Sequence, residues 1–192
     1  MLPSLMARPL ALNFSEMNLL RPVLVSICVG FAALVPSPAV SAQTPTDPAN
    51  NQQLDTVSAK GEIYSANADA NQEIQQALKL AVSQKKRLLL VFGANWCYDC
   101  HVLERALHEG AAGKLVSESF LLVHVDIGEG EKNPELVKTY RIPIEKGVPA
   151  VAVLGSDGKL LFSSGDGEFE SARTMFKKDL VAFLNRWKNP SP

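Results

Sequence analysis

The sequence predicts an α/β domain in which a central mixed β-sheet is flanked by helices on both faces. Three observations carry this. Two continuous apolar runs, 88–92 and 120–127, read as strands covered on both sides. Helical periodicity lies before the first run, between the two and after the second. Later, strand runs 150–154 and 159–163 flank Gly155-Ser156-Asp157-Gly158, a hairpin signal, and an amphipathic helix closes the chain. The first strands then pair in parallel through helical crossovers, and the last two pair antiparallel.

The chain has 192 residues, a formal net charge of -1 and 46% hydrophobic residues. That is the composition of one globular domain, without the basic excess that nucleic acid would call for. Part of the hydrophobicity belongs to the N-terminus. From Met17 an Arg-bearing start leads into an apolar run over 23–35 and then to Val-Ser-Ala at 40–42. This pattern reads as a secretory signal over 1–42, with Met17 as the true start and cleavage after Ala42. The run is short for a membrane-spanning helix. Ile27 is too bulky for the residue before a lipid-bearing Cys28. The protein is therefore expected to be exported, to the periplasm in a Gram-negative bacterium and otherwise to the medium.

Residues 43–61, rich in Pro, Asn, Gln and Thr, read as a flexible linker, and 62–189 as the folded domain. Glu62, Ile63 and Tyr64 offer a short edge strand. Over 67–86 Ile74, Ala77, Leu78, Ala81 and Val82 recur at helical spacing, with Asn67 or Asp69 as the N-cap. Lys85, Lys86 and Arg87 suit that helix's C-terminus. After the first strand, helix resumes over 97–109 with Val102, Leu103, Ala106 and Leu107 inward, and Gly110 stops it. Residues 114–119 read as a short or irregular helical piece. A polar loop over 128–133 follows the second strand, and Pro134 opens a helix to about Tyr140. The closing helix spans 171–188 with a stripe of Phe176, Leu180, Phe183, Leu184 and Trp187. His124 reads as a satisfied strand residue, His108 as solvent-facing, and Asp126 as a turn cap.

Trp96-Cys97-Tyr98-Asp99-Cys100-His101 stands between the first strand and the next helix. With Cys28 removed in the signal, Cys97 and Cys100 are the cysteines left. One pair at this spacing builds no disulfide framework in an oxidising compartment, so its use is chemical. The spacing closes a small disulfide ring, and a helix N-terminus stabilises a thiolate on the first sulfur. That equips the chain for thiol–disulfide exchange.

With Gly147-Val148-Pro149 opening a later strand, the arrangement resembles the thioredoxin-like family over nearly the whole mature domain. The resemblance implies a thioredoxin-like fold and a protein disulfide oxidoreductase without bound cofactor or metal, acting as a monomer on protein thiols and disulfides. It makes Cys97 the nucleophile and Cys100 the resolving cysteine. Trp96 becomes an aromatic wall, Pro149 a cis-proline facing the sulfurs, and Val148 the backbone that pairs with a partner. Gly165 or Gly167 supplies a third wall. Tyr98, Asp99 and His101 become the residues that tune the redox couple. Two departures stand out. Val91 occupies the strand position where the family often buries an aspartate, which leaves Asp99 or water to take a proton from Cys100. The stretch 140–149 is also longer than in thioredoxin.

An acidic Asp99 opposes a thiolate and a protonated His101 favours one. The signs conflict, so direction stays open, with the reducing direction favoured. An exported reductase needs electrons from across the membrane, which implies a membrane dithiol donor. Rival readings remain. Cys97-x-x-Cys100-His101 also spells a haem-attachment motif, making an electron carrier with His101 and Met175 on the iron. Cys97, Cys100 and His101 form an incomplete zinc set. A structural disulfide and a non-catalytic binding domain complete the field.

Overall fold

The computed structural model describes residues 51–58 and 61–188. The signal reading and the early part of the linker lie outside the described residues. Helix α1 runs Ala70–Gln84, with Asp69 accepting from the Gln72 N–H as its cap. Strand β1 (Arg87–Gly93) leads to α2 (Tyr98–His108), α3 (Gly110–Ser119) and β2 (Phe120–Asp126). Then come α4 (Pro134–Thr139), β3 (Ala150–Leu154), β4 (Leu160–Ser163) and α5 (Lys177–Trp187).

The sheet order is β2-β1-β3-β4. β1 runs parallel to β2 and antiparallel to β3, which pairs antiparallel with β4. Alternation along β1 splits the core. Leu88, Leu90 and Phe92 join α1 and α4 on one face, while Leu89 and Val91 meet α2, α3 and α5 on the other. Both faces of the central strand are thus sealed, as its unbroken apolar run requires.

Several boundaries differ from the sequence reading, each for a local reason. Val82 is 65% exposed. It sits about 100° round the helix from Ala81, which takes the inward position. Glu109, in extended backbone, closes α2 and opens α3, so Gly110 begins a new helix and does not leave a loop. Glu62, Ile63 and Tyr64 add no strand. The Ile63 and Tyr64 N–H groups donate instead to the Asn95 side chain, and Tyr64 is buried. The closing helix starts at Lys177, because residues 172–174 form a 3-10 turn and Met175 and Phe176 are extended. Phe176, expected in the buried stripe, is therefore an exposed residue under the Lys178 ammonium, while Trp187 packs on Phe162.

That extended stretch pairs with the segment read as a free linker. Gln53 bridges Phe176, Leu54 N–H donates to the Met175 carbonyl (2.8 Å), and Lys177 N–H donates to the Gln52 carbonyl (2.7 Å). Leu54 is 4% exposed, packed with the α2/α5 core. Among the described residues no helix is long and apolar enough to cross a membrane. Leu54→Ala is expected to lower stability by about 2–4 kcal/mol in urea unfolding, as for a buried leucine. A freely hanging linker would leave the midpoint unchanged.

Candidate active site

β1 ends at Gly93, and a turn carries the chain to Cys97, whose N–H donates to the Ala94 carbonyl (3.1 Å). Cys97 is the N-cap of α2. Its backbone is extended (φ -79°, ψ 108°), and its sulfur accepts from the Cys100 N–H at 3.1 Å. Cys97 and Cys100 are joined in a disulfide with their Cα atoms 5.3 Å apart. A cysteine at an N-cap puts sulfur where free amides and the positive end of the helix favour an anion. Cys97 is 4% exposed and Cys100 fully enclosed, so Cys97 is the residue of the pair nearer the surface.

Around this pair stand Trp96, 58% exposed, whose Nε1–H donates to the Gly128 carbonyl (2.9 Å), and Val148, whose carbonyl oxygen lies 3.4 Å from Cys97 Sγ. The Val148–Pro149 peptide is cis. The longer stretch before it folds into a 3-10 turn over Ile144–Lys146, closed by Gly147 at φ 121°, a conformation that suits glycine. Gly165 bonds Ser163 and Lys146, and Gly167 faces Glu170 and Lys146.

Comparison with known proteins gives this geometry a family. A family model described as thioredoxin-like matches residues 69–156. The solved disulphide isomerase from Xylella fastidiosa Temecula1 is 36% identical, over 66% of this chain and 96% of that one, with a TM-score of 0.62. This chain belongs to the thioredoxin-like family. Its chemistry at family level is that of a thiol–disulfide oxidoreductase. Two curated relatives, each a thiol:disulfide interchange protein DsbD, come from Pseudomonas fluorescens and from a Pseudomonas sp.. Each is 28% identical over 60% and 59% of this chain, respectively. The chain spans 18% of the length of these relatives.

The haem, zinc and binding-domain readings give way to that membership and to the joined sulfurs. His101 adds a local reason, since its buried Nε2–H already donates to the Asn95 carbonyl at 2.8 Å. Met175 packs among the apolar side chains near α5.

Within this thioredoxin-like site Asp99 differs from the expected bare acid. Its buried carboxylate accepts from Arg173 Nε (3.0 Å) and Nη2, and from the Arg173 backbone N–H (2.8 Å). The guanidinium also lies 5.0 Å from the centre of the Tyr98 ring. Burial alone would raise the Asp99 carboxyl. The side-chain and backbone hydrogen bonds from Arg173, with its charge, outweigh burial and hold it below the usual carboxylate range. Paired this way, Asp99 neither opposes a thiolate as a free charge would nor stands ready to take the Cys100 proton.

Sequence reasoning missed the groups behind the sulfurs. Asn95 accepts from the Ile63 and Tyr64 N–H groups (2.9 Å each) and donates to the Tyr64 carbonyl (2.8 Å). His124 Nε2 meets Glu104 at 2.6 Å. Glu104 lies four residues after Cys100 on α2, a spacing that places both on one side of the helix. Burial would raise the Glu104 carboxyl, and the His124 hydrogen bond with the nearby His charges overcomes this and lowers it. Asp126 caps its turn through the Gly128 N–H (2.9 Å) and pairs with Lys132. The Glu104 spacing was legible, whereas Asn95, Tyr64 and Arg173 find their partners only through the fold.

Because the folded Asp99 carboxyl is depressed, its contribution is full above the unfolded carboxylate range and fades as pH falls through the folded value. Asp99→Asn is therefore expected to be less stable at pH 7, with the deficit shrinking as pH falls through the depressed folded value of Asp99. Urea melts across a pH series check this, and parallel curves over the whole range would contradict it.

Proposed function

We propose that this protein is an exported thiol–disulfide oxidoreductase that reduces disulfides in other proteins. The observation that carries the reading is Cys97 at the N-cap of α2, its sulfur bonded to the enclosed Cys100 and accepting from the Cys100 N–H. In the reduced protein Cys97 attacks one sulfur of a partner disulfide, and the other leaves as a thiolate. Cys100 then attacks Cys97 Sγ, which releases the second partner sulfur. Two electrons pass to the partner, and Cys97–Cys100 is left oxidised. Trp96 and the cis Val148–Pro149 strand entrance form the docking walls, with the Val148 backbone pairing to the partner in strand fashion.

The reducing direction now rests on a different group from Asp99, whose charge Arg173 offsets. The Val148 carbonyl 3.4 Å from Cys97 Sγ disfavours an anion there, which works against the strongly stabilised thiolate of an oxidant. Such a couple belongs near thioredoxin, about -270 mV, and far from the strong oxidants at about -120 mV. Working outside the cytoplasm, after cleavage at Ala42, the domain takes its electrons from a membrane dithiol donor. It acts as a monomer, in the periplasm if the source is Gram-negative and otherwise as a secreted protein.

Insulin reduction driven by dithiothreitol is the direct test. The parent should accelerate it, Cys97→Ser should abolish the acceleration, and Cys100→Ser should accumulate mixed disulfides. Full activity in Cys97→Ser, or a potential near the strong oxidants in glutathione buffers, would overturn the assignment.

A further inference from the structure

We propose that the Tyr64 hydroxyl is the hydrogen-bond donor that receives Cys100 as a thiolate when the Cys97–Cys100 bond opens. The inference rests on the oxidoreductase reading and adds to it a residue outside the matched family region. Tyr64 is 1% exposed, and its hydroxyl has no hydrogen-bond partner among the described residues. A buried unpaired O–H is costly, so its retention calls for a state in which it is satisfied.

Its neighbours identify that state. Tyr64 packs in one cluster with Cys97 and Cys100. At Gly93 the missing side chain leaves the space into which both groups project. A Cβ there would fall within 2.5 Å of Tyr64 Oη and of Cys100 Sγ, so the two atoms are no further apart than twice that distance. The tyrosine is also held in place. Asn95, on the turn that carries Cys97, binds the Tyr64 backbone on both sides, and the ring stands edge-on to His124 at 5.5 Å.

A disulfide sulfur is a weak acceptor and a thiolate a strong one. When an incoming thiolate attacks Cys97 Sγ, a new S–S bond forms there and the Cys97–Cys100 bond breaks. Cys100 leaves with the electron pair, and the Tyr64 O–H turns onto it. The phenol keeps its proton, because burial and the Glu104 and Asp126 charges push its pKa well above the ordinary value. Tyr64 thus stabilises the leaving thiolate, and in the reverse step holds Cys100 ionised for attack. The carboxylates around it already have hydrogen-bonding partners: Glu104 has His124, Asp126 has Lys132, and Asp99 has Arg173. His101 is bonded to Asn95, and His108 lies on the outer side of Glu104.

Tyr64→Phe removes one oxygen and keeps the ring. Equilibration with glutathione should shift about tenfold toward the disulfide in the variant, equivalent to about 30 mV more reducing. Thermal unfolding separates this from a structural role. The variant should melt higher than the parent when oxidised, having lost an unpaired hydroxyl, and lower when reduced, having lost the bond to Cys100. In a Cys97→Ser background, thiolate absorbance should show Cys100 ionising at higher pH when Tyr64→Phe is added. Unchanged glutathione equilibrium, equal melting shifts in both redox states, or an unmoved Cys100 titration would each overturn the proposal. A parent protein that exchanges with no thiol would instead bring down the oxidoreductase reading, and this inference with it.

Discussion

Cys97 must be the last residue outside α2 and at the same time a sulfur bonded to Cys100, one turn into the helix. That double duty constrains everything nearby. β1 has to end at Gly93, leaving a short turn to bring the sulfur onto the helix axis, and the strand beneath has to be sealed on both faces to hold the turn still. Asn95 completes the arrangement by fixing the turn to residues 63 and 64 with three hydrogen bonds and to His101 with a fourth. One polar side chain therefore ties the reactive turn to a segment that the sheet does not reach.

The Asp99–Arg173 pair does similar work on the opposite flank. Arg173 gives both its guanidinium and its backbone N–H to one carboxylate. Holding that N–H at α2 keeps residues 172–174 in a tight turn, and the chain then extends through Met175 and Phe176 before α5 begins. The extended piece is what residues 52–54 pair with. A charge between the two cysteines thus has a consequence two elements away: the acid locks the entry to the last helix and is neutralised by doing so.

The strands, the parallel pairing of the first two, the closing hairpin and the helix after the cysteines were legible in the sequence because apolar periodicity reports burial directly. The continuous run at 88–92 has one physical outcome, a strand covered twice, and the Gly155–Gly158 turn chemistry marks its hairpin. What stayed hidden depends on pairing across long separations. Nothing local distinguishes Arg173 from any other helix-surface arginine, or Leu54 from an apolar residue in a tether. Tyr64 read as strand because β-propensity registers an aromatic side chain, while its partner Asn95 lies 31 residues on. Cys97 and Cys100 themselves were plain, since two sulfurs at that spacing before a helix have few uses.

An apolar residue at Val91 then acquires a structural sense. Val91 points into the apolar core beneath α2, and a charge placed there would lack a partner. The register sets His124 beside it on β2, at the sheet edge, where Glu104 reaches it from α2 and Tyr64 lies edge-on to its ring. Polar groups thus approach Cys100 from the side of the sheet and not from below. The edge admits a matched acid–base pair at a desolvation cost the core could not offset, since Glu104 and His124 remain about a quarter exposed. Moving the polar contact to the edge leaves the central strand apolar and stable, and makes the environment of the enclosed sulfur depend on a segment outside the sheet. Control of Cys100 then resides in residues 63 and 64 and in the Asn95 clamp that holds them.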